Sequence, residues 1–344
     1  MHVKTYHTFK ASCIHFALLF AALLLTTCSD ITDNCTYDPS FNKGFSVFFM
    51  PPRNSFNEND FTENIYRMKS DGINSLYLTP SYFQKTETSD SIFRTSETLA
   101  DSLLIKAIGI AVNAGMHVSL KPHINCLNNA PRFQIKPSNY EKWLISYKKC
   151  ILFYFTLSVT SNIHSFVAGT ELDNVSENSG FLTFLDSLRS VSTIPILYSC
   201  SYNQIFKTKL WKHVDVLGVN TYYNLDNNIP PSEMVIRETW NFWLNKLHEE
   251  STLHNVPIVL TETGFMSRST AAINPGDFSG KPLCDQSVQK ICYEALLSQA
   301  CLFKSIKGIY FWQWELGEKG KSDSCDYTPR NKPAEDILKK YWVN

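Results

Sequence analysis

Two glutamates in this sequence are poorly placed for packing and well placed for chemistry. Glu171 follows the apolar run 166–169 after one threonine, and Glu262 follows the apolar run 257–260 in the same way. A pair of carboxyl groups is the smallest catalytic set for hydrolysing a glycosidic bond. One supplies the proton, and the other either attacks the sugar or activates a water molecule. The sequence therefore predicts a hydrolytic pair, provided that the fold brings the two side chains together.

The elements that must position these glutamates are apolar, strand-like runs that alternate with helical stretches. The strand-like runs lie at 44–49, 73–80, 117–123, 166–171, 194–199, 214–222, 257–261 and 308–314. The helical stretches lie at 58–70, 95–114, 139–162, 180–190, 233–250, 286–304 and 334–342. Such alternation indicates βαβ units and a parallel sheet. Because the runs are apolar throughout, the strands should be covered on both faces.

Eight strands in about 300 residues match a single (β/α)8 TIM barrel, which typically needs ~250 residues. We therefore expect one α/β domain over residues 44–344, preceded by a polar leader at 29–43. A doubly wound open sheet is the alternative. It is less favoured because no glycine-rich phosphate loop follows the first strand.

Further polar and aromatic residues fall at the ends of the predicted strands, where the active site of a barrel forms. They are Lys121 and His123 on strand 3, Asn220 and Tyr222 on strand 6, and Trp312 and Trp314 on strand 8. Side chains alternate along a strand, so each of these pairs should share one face. If those faces point inward, all six side chains line the same mouth as the two glutamates.

Three short motifs resemble the retaining glycosidases built on a (β/α)8 barrel, which carry catalytic glutamates on strands 4 and 7. They are Gly-Thr-Glu-Leu at 169–172, Thr-Glu-Thr-Gly-Phe at 261–265 and Phe-Trp-Gln-Trp at 311–314. More narrowly, the first motif, Leu-Lys-Pro-His at 120–123 and the segment 285–295 resemble glycoside hydrolase family 113. The characterised activity of that family is endo-β-1,4-mannanase. The resemblance spans about residues 44–314.

The resemblance implies that Glu171 is the acid/base and Glu262 the nucleophile of a retaining mechanism. Tyr222 matches the residue that bonds the nucleophile. By the same resemblance Trp312 or Trp314 would stack on a sugar ring, although an alternative is that at least one of them belongs to the core.

Two positions depart from the patterns of the relatives. Thr170 stands where many members of the wider clan carry asparagine, and Asn220 stands where the family usually has an acidic residue. Lys121 and His123 would bond sugar hydroxyls or fix a glutamate, or else serve the structure alone.

The expected substrate is a β-linked polysaccharide or oligosaccharide, with endo-β-1,4-mannan favoured by the resemblance. One alternative is a catalytically silent sugar-binding lipoprotein on the same barrel, and another is a glycosidase for a different β-linked hexose polymer. The matched pair of glutamates favours an enzyme, because a binding module has no need of it. We expect a monomer that requires no cofactor.

The N-terminus predicts export. Lys4 and Lys10 precede the apolar stretch 14–25, which is too short to span a bilayer and fits a signal peptide. The ending Leu-Thr-Thr-Cys at 25–28 resembles a bacterial lipobox, with Thr27 larger than the usual residue. We therefore expect cleavage before Cys28 and lipidation of Cys28, anchoring the protein to a bacterial membrane. Plain secretion and a retained anchor are the alternatives.

Charge and cysteine content exclude some classes of partner. The 32 basic and 32 acidic residues cancel, so nothing favours binding to nucleic acid. The 10 cysteines include no CxxC pair and no Cys/His spacing typical of zinc, so no metal site is expected. Export permits disulfides, but the sequence does not determine their pairing.

Overall fold

The computed structural model describes residues 35–48, 56–280, 283–317 and 320–343. The predicted targeting segment 1–28 with Cys28, and positions 29–34 of the leader, lie outside the described residues. From Tyr37 onward the described chain forms one compact unit. Within these ranges no helix is both long and apolar enough to cross a membrane.

Eight parallel strands close into a barrel, which confirms the predicted (β/α)8 fold. The described chain contains these eight strands and two others, which are β1 (Asn42–Val47), β2 (Ser75–Leu78), β3 (Ser81–Gln84), β4 (His117–Leu120), β5 (His123–Cys126), β6 (Ser165–Thr170), β7 (Ile196–Ser201), β8 (Val216–Asn220), β9 (Ile258–Thr263) and β10 (Ile306–Phe311). Around the barrel the order is β1-β10-β9-β8-β7-β6-β4-β2, and β3 pairs with β5 in a separate two-stranded sheet. The fourth and seventh barrel strands are therefore β6 and β9, which lead to the two glutamates.

Seven α-helices surround the barrel in the described part of the chain. They are α1 (Glu58–Ser70), α2 (Asp101–Asn113), α3 (Tyr140–Thr160), α4 (Ser179–Val191), α5 (Glu233–His254), α6 (Gln286–Ala300) and α7 (Pro333–Trp342). The helix predicted at 58–70 is confirmed to the residue. Its start is set by Asn57, whose side chain accepts a hydrogen bond from the Asp60 amide at 3.1 Å. Between β7 and β8 the described chain has turns and a short 3-10 helix, Leu210–Lys212, in place of an α-helix.

The helix predicted from residue 95 begins six residues later, at Asp101. The Thr95 amide bonds the hydroxyl of Thr98 at 3.1 Å, and the Thr98 amide bonds the carbonyl of Thr95 at 3.0 Å. Threonine hydroxyls that bond nearby backbone offer the chain an alternative to the helix. A local turn therefore replaces the first turns of the predicted helix.

Two predicted strands end three residues earlier than expected. The strand predicted at 117–123 stops at Leu120, and the chain resumes as β5 at His123, beside β3. Pro122 lies between them and offers no amide donor to a ladder. The strand predicted at 308–314 ends at Phe311, so the alternation that placed Trp312 and Trp314 on one face does not continue.

The barrel interior is a packed layer beneath the mouth, not a channel. It contains one buried side chain from each of five strands: Tyr77, Val167, Leu197, Val259 and Tyr310. The Tyr77 and Tyr310 rings stack with centroids 3.7 Å apart. The next inward positions, two residues further along β7 and β9, are Ser199 and Thr261. Polar residues therefore begin directly above the apolar layer.

A disulfide joins two long connections on the side of the mouth. Cys284 and Cys325 are bonded, with Cα atoms 5.3 Å apart. This bond links the β9 loop (residues 264–285) to the β10 loop (residues 312–332). Free and buried cysteines in the described chain are Cys126, Cys150, Cys200 and Cys292.

Candidate active site

Both glutamates lie beside an irregularity in the ladder of barrel strands. The register between β6 and β7 shifts after Val167, shortly before Glu171. The register between β8 and β9 shifts after Val219, just before Asn220 pairs with Glu262. Breaks of this kind bend a strand and re-aim its side chains. The two carboxyl groups are thereby turned toward each other at the C-terminal end of the barrel.

Glu171 is held over the mouth by its backbone and by two side chains. Its φ of 53° is left-handed, a conformation that costs a non-glycine residue roughly 1–2 kcal/mol. The Glu171 amide donates to the Ser199 carbonyl at 2.8 Å. Its Oε1 accepts from Asn220 Nδ2 at 2.9 Å, and its Oε2 accepts from Arg132 Nη2 at 3.1 Å. Left-handed non-glycine residues cluster at active sites, where surrounding contacts maintain them.

Glu262 is buried and bonded at both carboxyl oxygens. Its Oε2 accepts from Lys121 Nζ at 2.9 Å, and its Oε1 accepts from the Tyr222 hydroxyl at 2.7 Å. Lys121 is fully buried and also donates to the Thr261 carbonyl at 3.0 Å. Of the roles predicted for Lys121, its contacts therefore fit that of fixing a glutamate.

The surroundings of Glu262 favour its ionised form. Burial alone would raise the pKa of this carboxyl. The positive charges of Lys121 and Arg132, together with the Tyr222 hydrogen bond, outweigh burial and lower the pKa below its ordinary value. Burial and the charge of Glu262 raise the pKa of Tyr222, so its hydroxyl stays protonated and donates. A carboxylate held ionised in this way has the charge state that a nucleophile needs.

Asn220 links the two glutamates through one amide group. Its Oδ1 accepts from Ser199 Oγ at 2.8 Å, Thr261 Oγ1 at 3.1 Å and Lys121 Nζ at 3.3 Å. These donors fix the amide so that its Nδ2, which can only donate, faces the carboxylates. Nδ2 lies 2.9 Å from Glu171 Oε1 and 3.4 Å from Glu262 Oε2. An asparagine can bridge two carboxylates here, whereas an acidic side chain would repel them.

The shared amide limits the spacing of the two carboxyl groups. Glu171 Oε1 and Glu262 Oε2 can be no further apart than the two hydrogen bonds to Asn220 Nδ2 laid end to end. Inverting glycosidases hold their carboxyl groups ~6.5–9.5 Å apart to admit a water and retaining ones ~5–5.5 Å apart, so a nitrogen shared by both groups favours the closer arrangement. The geometry is therefore compatible with direct attack by one carboxylate.

Trp312 lies at the mouth, as the sequence predicted for one of the two tryptophans. Its half-buried ring stacks on His123 with centroids 5.9 Å apart and contacts Phe48 at 5.7 Å. His123 is 2% exposed, and its Nδ1 lies 3.4 Å from Arg132 Nη1. The partly exposed Trp312 ring can therefore contact the apolar face of a ligand.

Trp314 does not reach the mouth, contrary to the prediction that it could bind substrate. Its side chain is 1% exposed and packs edge-on against Phe45 at 5.4 Å. Its indole nitrogen donates to Asn64 Oδ1 at 2.8 Å. Because β10 ends before Trp312, the two tryptophans diverge, and Trp314 belongs to the core.

Arg132 is a member of the site that the sequence did not single out. It lies in a 3-10 turn after β5 and donates to Glu171 Oε2 at 3.1 Å and to Asn125 Oδ1 at 3.1 Å. No strand-end pattern marks this loop. The only local signal is a basic residue after Pro131 on the connection that follows the third barrel strand.

The family follows from a match to most of the chain. The profile of Glycoside Hydrolase Family 113 matches residues 45–330, which include both glutamates and every other side chain of the site. The chain belongs to glycoside hydrolase family 113. It is therefore a glycoside hydrolase. No curated protein matches it significantly.

Solved structures similar to this glycoside hydrolase share its fold. A GH113 β-1,4-mannanase is 22% identical with a TM-score of 0.78, and the match covers 88% of this chain and 99% of that one. The GH113 β-mannanase from Alicyclobacillus acidocaldarius is 19% identical with a TM-score of 0.78, covering 88% and 97%. The β-glucuronidase from Ruminococcus gnavus is 14% identical with a TM-score of 0.62, covering 89% and 50%.

Proposed function

We propose that this family 113 enzyme hydrolyses β-1,4-mannan or its oligosaccharides with retention of configuration, using Glu171 as acid/base and Glu262 as nucleophile. The observation that carries the proposal is the single Asn220 amide bonded to both glutamates. Because one nitrogen reaches an oxygen of each carboxyl group, this observation supports the close spacing that double displacement requires.

In the first step a Glu262 oxygen forms a bond to the anomeric carbon while the bond from that carbon to the leaving oxygen breaks. Glu171 gives its proton to the leaving oxygen. In the second step water attacks the anomeric carbon, Glu171 takes a proton from the water, and the bond to Glu262 breaks. The hydrogen bonds from Lys121 and Tyr222 stabilise the carboxylate that leaves.

The choice of mannan is supported by the mannanases among the structural neighbours. Trp312 would support the sugar ring beside the glutamates, because pyranose faces pack on aromatic rings. His123, beneath Trp312, is nearly inaccessible and would orient that ring and Arg132. Asn220, which the sequence had suggested as a substrate-binding residue, is fully buried and would hold both carboxylates, whereas the partly exposed Tyr222 would hold Glu262 and lie beside the bound sugar.

Export completes the proposal. The signal-peptide pattern and the lipobox-like Cys28 support a mature enzyme anchored by lipid to a bacterial membrane, where polysaccharide fragments are accessible. Labelling with a fatty-acid analogue in a bacterial host tests this point. Label should be incorporated by the wild-type chain and lost in Cys28→Ala, and equal labelling of both would contradict the anchor.

The catalytic assignment is tested on the purified mature chain with β-1,4-mannooligosaccharides, following the anomeric configuration of the first product by NMR. Retained configuration is expected. Glu171→Gln should lower kcat by about 10²–10⁴-fold because the acid is lost. Glu262→Ala should lower it by roughly 10⁴-fold or more because the nucleophile is lost.

Each outcome bears on a separate part of the proposal. Parallel assays on β-glucan, xylan and galactan oligosaccharides decide the sugar, and turnover of one of these alone would replace mannan. An inverted first product would contradict double displacement. A wild-type rate in either glutamate variant would remove that residue from catalysis, and binding without any turnover would indicate a silent sugar-binding protein.

A further inference from the structure

The β9 loop packs against the tyrosine that bonds Glu262. At Gly276 a Cβ atom would lie 3.2 Å from Cγ of Tyr222, so the bare backbone of this loop touches the ring. The loop is also tied to the chain that follows Tyr222, because the Leu225 amide donates to the Ala272 carbonyl at 2.8 Å. The Tyr222 ring is therefore confined around its Cβ and Cγ atoms, at the end opposite the hydroxyl that bonds Glu262.

Tyr327 of the β10 loop holds this contact in place. Its hydroxyl donates to the carbonyl of Pro275, next to Gly276, at 2.8 Å. The side chain is 7% exposed, and its ring lies beside Gly264, where a Cβ atom would be 3.0 Å from the Tyr327 ring. Tyr327 thus crosses the end of β9, two residues beyond Glu262, to reach the turn that touches Tyr222.

Tyr327 is itself fixed to the fold by buried groups. The fully buried Gln289 donates to the Tyr327 carbonyl at 3.1 Å and to the Phe265 carbonyl at 2.8 Å. The disulfide at Cys325 lies two residues away. The contacts therefore run without a gap from the α6 helix through Tyr327 and the Pro275–Gly276 turn to Tyr222 and Glu262.

We propose that Tyr327 and Gly276 are positioning residues of the active site, which set the Tyr222 hydroxyl on Glu262 Oε1 and so hold the attacking carboxylate. This inference rests on the proposed function, in which Glu262 is the nucleophile. Within the described part of the chain no hydrogen bond joins Tyr327 or Gly276 to Glu262, so both residues act through Tyr222. A Cβ atom at position 276 would press on the Tyr222 ring and require it to shift by a few tenths of an ångström.

The test measures the covalent step directly. Wild type, Tyr327→Phe and Gly276→Ala are treated with 2,4-dinitrophenyl 2-deoxy-2-fluoro-β-mannobioside, and the rate of covalent labelling of Glu262 is followed by peptide mass spectrometry. Both variants should label roughly 10–100-fold more slowly, the loss expected when a reacting group is misplaced by a fraction of an ångström to one ångström. Labelling of both variants at the wild-type rate would overturn the inference.

Tyr37→Phe is a matched control. Tyr37 is also 7% exposed, and its hydroxyl donates to a backbone carbonyl, that of Leu297, at 2.7 Å. It should lose a similar amount of thermal stability and label at the wild-type rate. An equal slowing in Tyr37→Phe would show that any lost buried hydrogen bond slows labelling, and would contradict a specific role for Tyr327.

A double-mutant cycle separates positioning from general stabilisation. If Tyr327 acts through the Tyr222 hydroxyl, then Tyr327→Phe should slow labelling in the wild type and cause no further slowing in Tyr222→Phe. An equal fold-loss in both backgrounds would contradict action through Tyr222.

A crystal structure of Tyr327→Phe gives a readout that needs no substrate. The distance from the Tyr222 hydroxyl to Glu262 Oε1 should exceed ~3.5 Å. Retention of the 2.7 Å bond would overturn the inference even if the variant were slow. Absence of label on Glu262 in the wild type would instead contradict the proposed function, and the crystallographic distance would still decide the role of Tyr327.

Discussion

Asn220 is the residue on which the geometry of the site depends. Its amide donates to Glu171 and Glu262, and its carbonyl oxygen is held by three donors. An asparagine whose hydrogen-bonding groups are all engaged has one orientation. That orientation fixes the positions of the two carboxylates that it bonds. The asparagine at this position therefore forms a neutral bridge between two acidic groups.

Arg132 should matter mainly for substrates whose leaving group must be protonated before it departs. Arg132→Ala removes the donor to Glu171 Oε2, so the acid should be less well placed. Hydrolysis of mannotetraose should slow by about 10–100-fold, while hydrolysis of a 2,4-dinitrophenyl β-mannobioside, whose leaving group departs unprotonated, should change little. The measurement is kcat/KM on both substrates.

Arg94→Ala is the control for Arg132, because Arg94 forms an ion pair with Asp101 remote from the glutamates. Its rates should match the wild type on both substrates. An equal loss on the two substrates in Arg132→Ala would contradict a role directed at Glu171.

At the scale of elements, helix α7 is joined to the end of α1 by a cluster of charged side chains, of which Asp71 and Glu335 are buried. Asp71 caps α1, and its carboxyl group interacts with that of Glu335 of α7. Arg67 donates to both oxygens of Glu335 at 2.8 Å. Lys339 lies 3.5 Å from Asp71 Oδ1. Two carboxyl groups so close favour retention of a proton by one of them.

This cluster predicts a pH-dependent stability. Burial, then the hydrogen bond and charge of Glu335, raise the pKa of Asp71 to about 7, against the opposing charges of Lys339 and Arg67. An unfolded aspartate has a pKa of about 3.9. The folded chain therefore binds a proton that the unfolded chain lacks, and the free energy of unfolding should fall as pH rises from about 4 to 7.

Asp71→Asn should remove this dependence, because a carboxamide does not ionise and can still donate to Glu335. At pH 8 it should be more stable than the wild type by on the order of 1–3 kcal/mol, measured by urea unfolding at several pH values. Asp336→Asn, an exposed change on the same helix, controls for the lost charge. If the free energy of unfolding of Asp71→Asn fell between pH 4 and 7 as steeply as that of the wild type, Asp71 would not be the source of the pH dependence.

At the scale of the whole molecule, the barrel carries its long covering loops over the end of β9 and β10. The Cys284–Cys325 bond closes a segment of 41 residues that includes helix α6 and strand β10. Lys332 adds a buried contact between the loops by donating to Ser267 Oγ at 3.0 Å. One side of the mouth is thus braced covalently and by buried hydrogen bonds.

Removing this bridge should lower global stability. The Cys284→Ser/Cys325→Ser double variant of the purified oxidised chain should lose about 2–4 kcal/mol of unfolding free energy, since the unfolded chain gains freedom over that segment. Urea unfolding at fixed pH measures the change. If the urea unfolding curve of the double variant kept the midpoint and slope of the wild type, the disulfide would add no stability.

Much of the fold could be predicted because its signals are local. Apolar runs of strand length, helical stretches between them and a cap such as Asn57 depend on neighbouring residues alone. The boundaries that failed depend on particular contacts, such as the threonine turn before Asp101 and the break at Pro122. Trp314 was misjudged because alternation holds only while a strand continues, and β10 stops at Phe311.

The sequence by itself determined eight strands in order and a glutamate at the ends of the fourth and the seventh, since position along a strand is a local property. Only the tertiary structure decided how the glutamates meet. The ladder breaks that aim them, the left-handed Glu171, the arginine from a loop without a pattern and the shared Asn220 amide all arise between distant segments. Pairings of that kind depend on closure of the barrel, which no single stretch of sequence encodes.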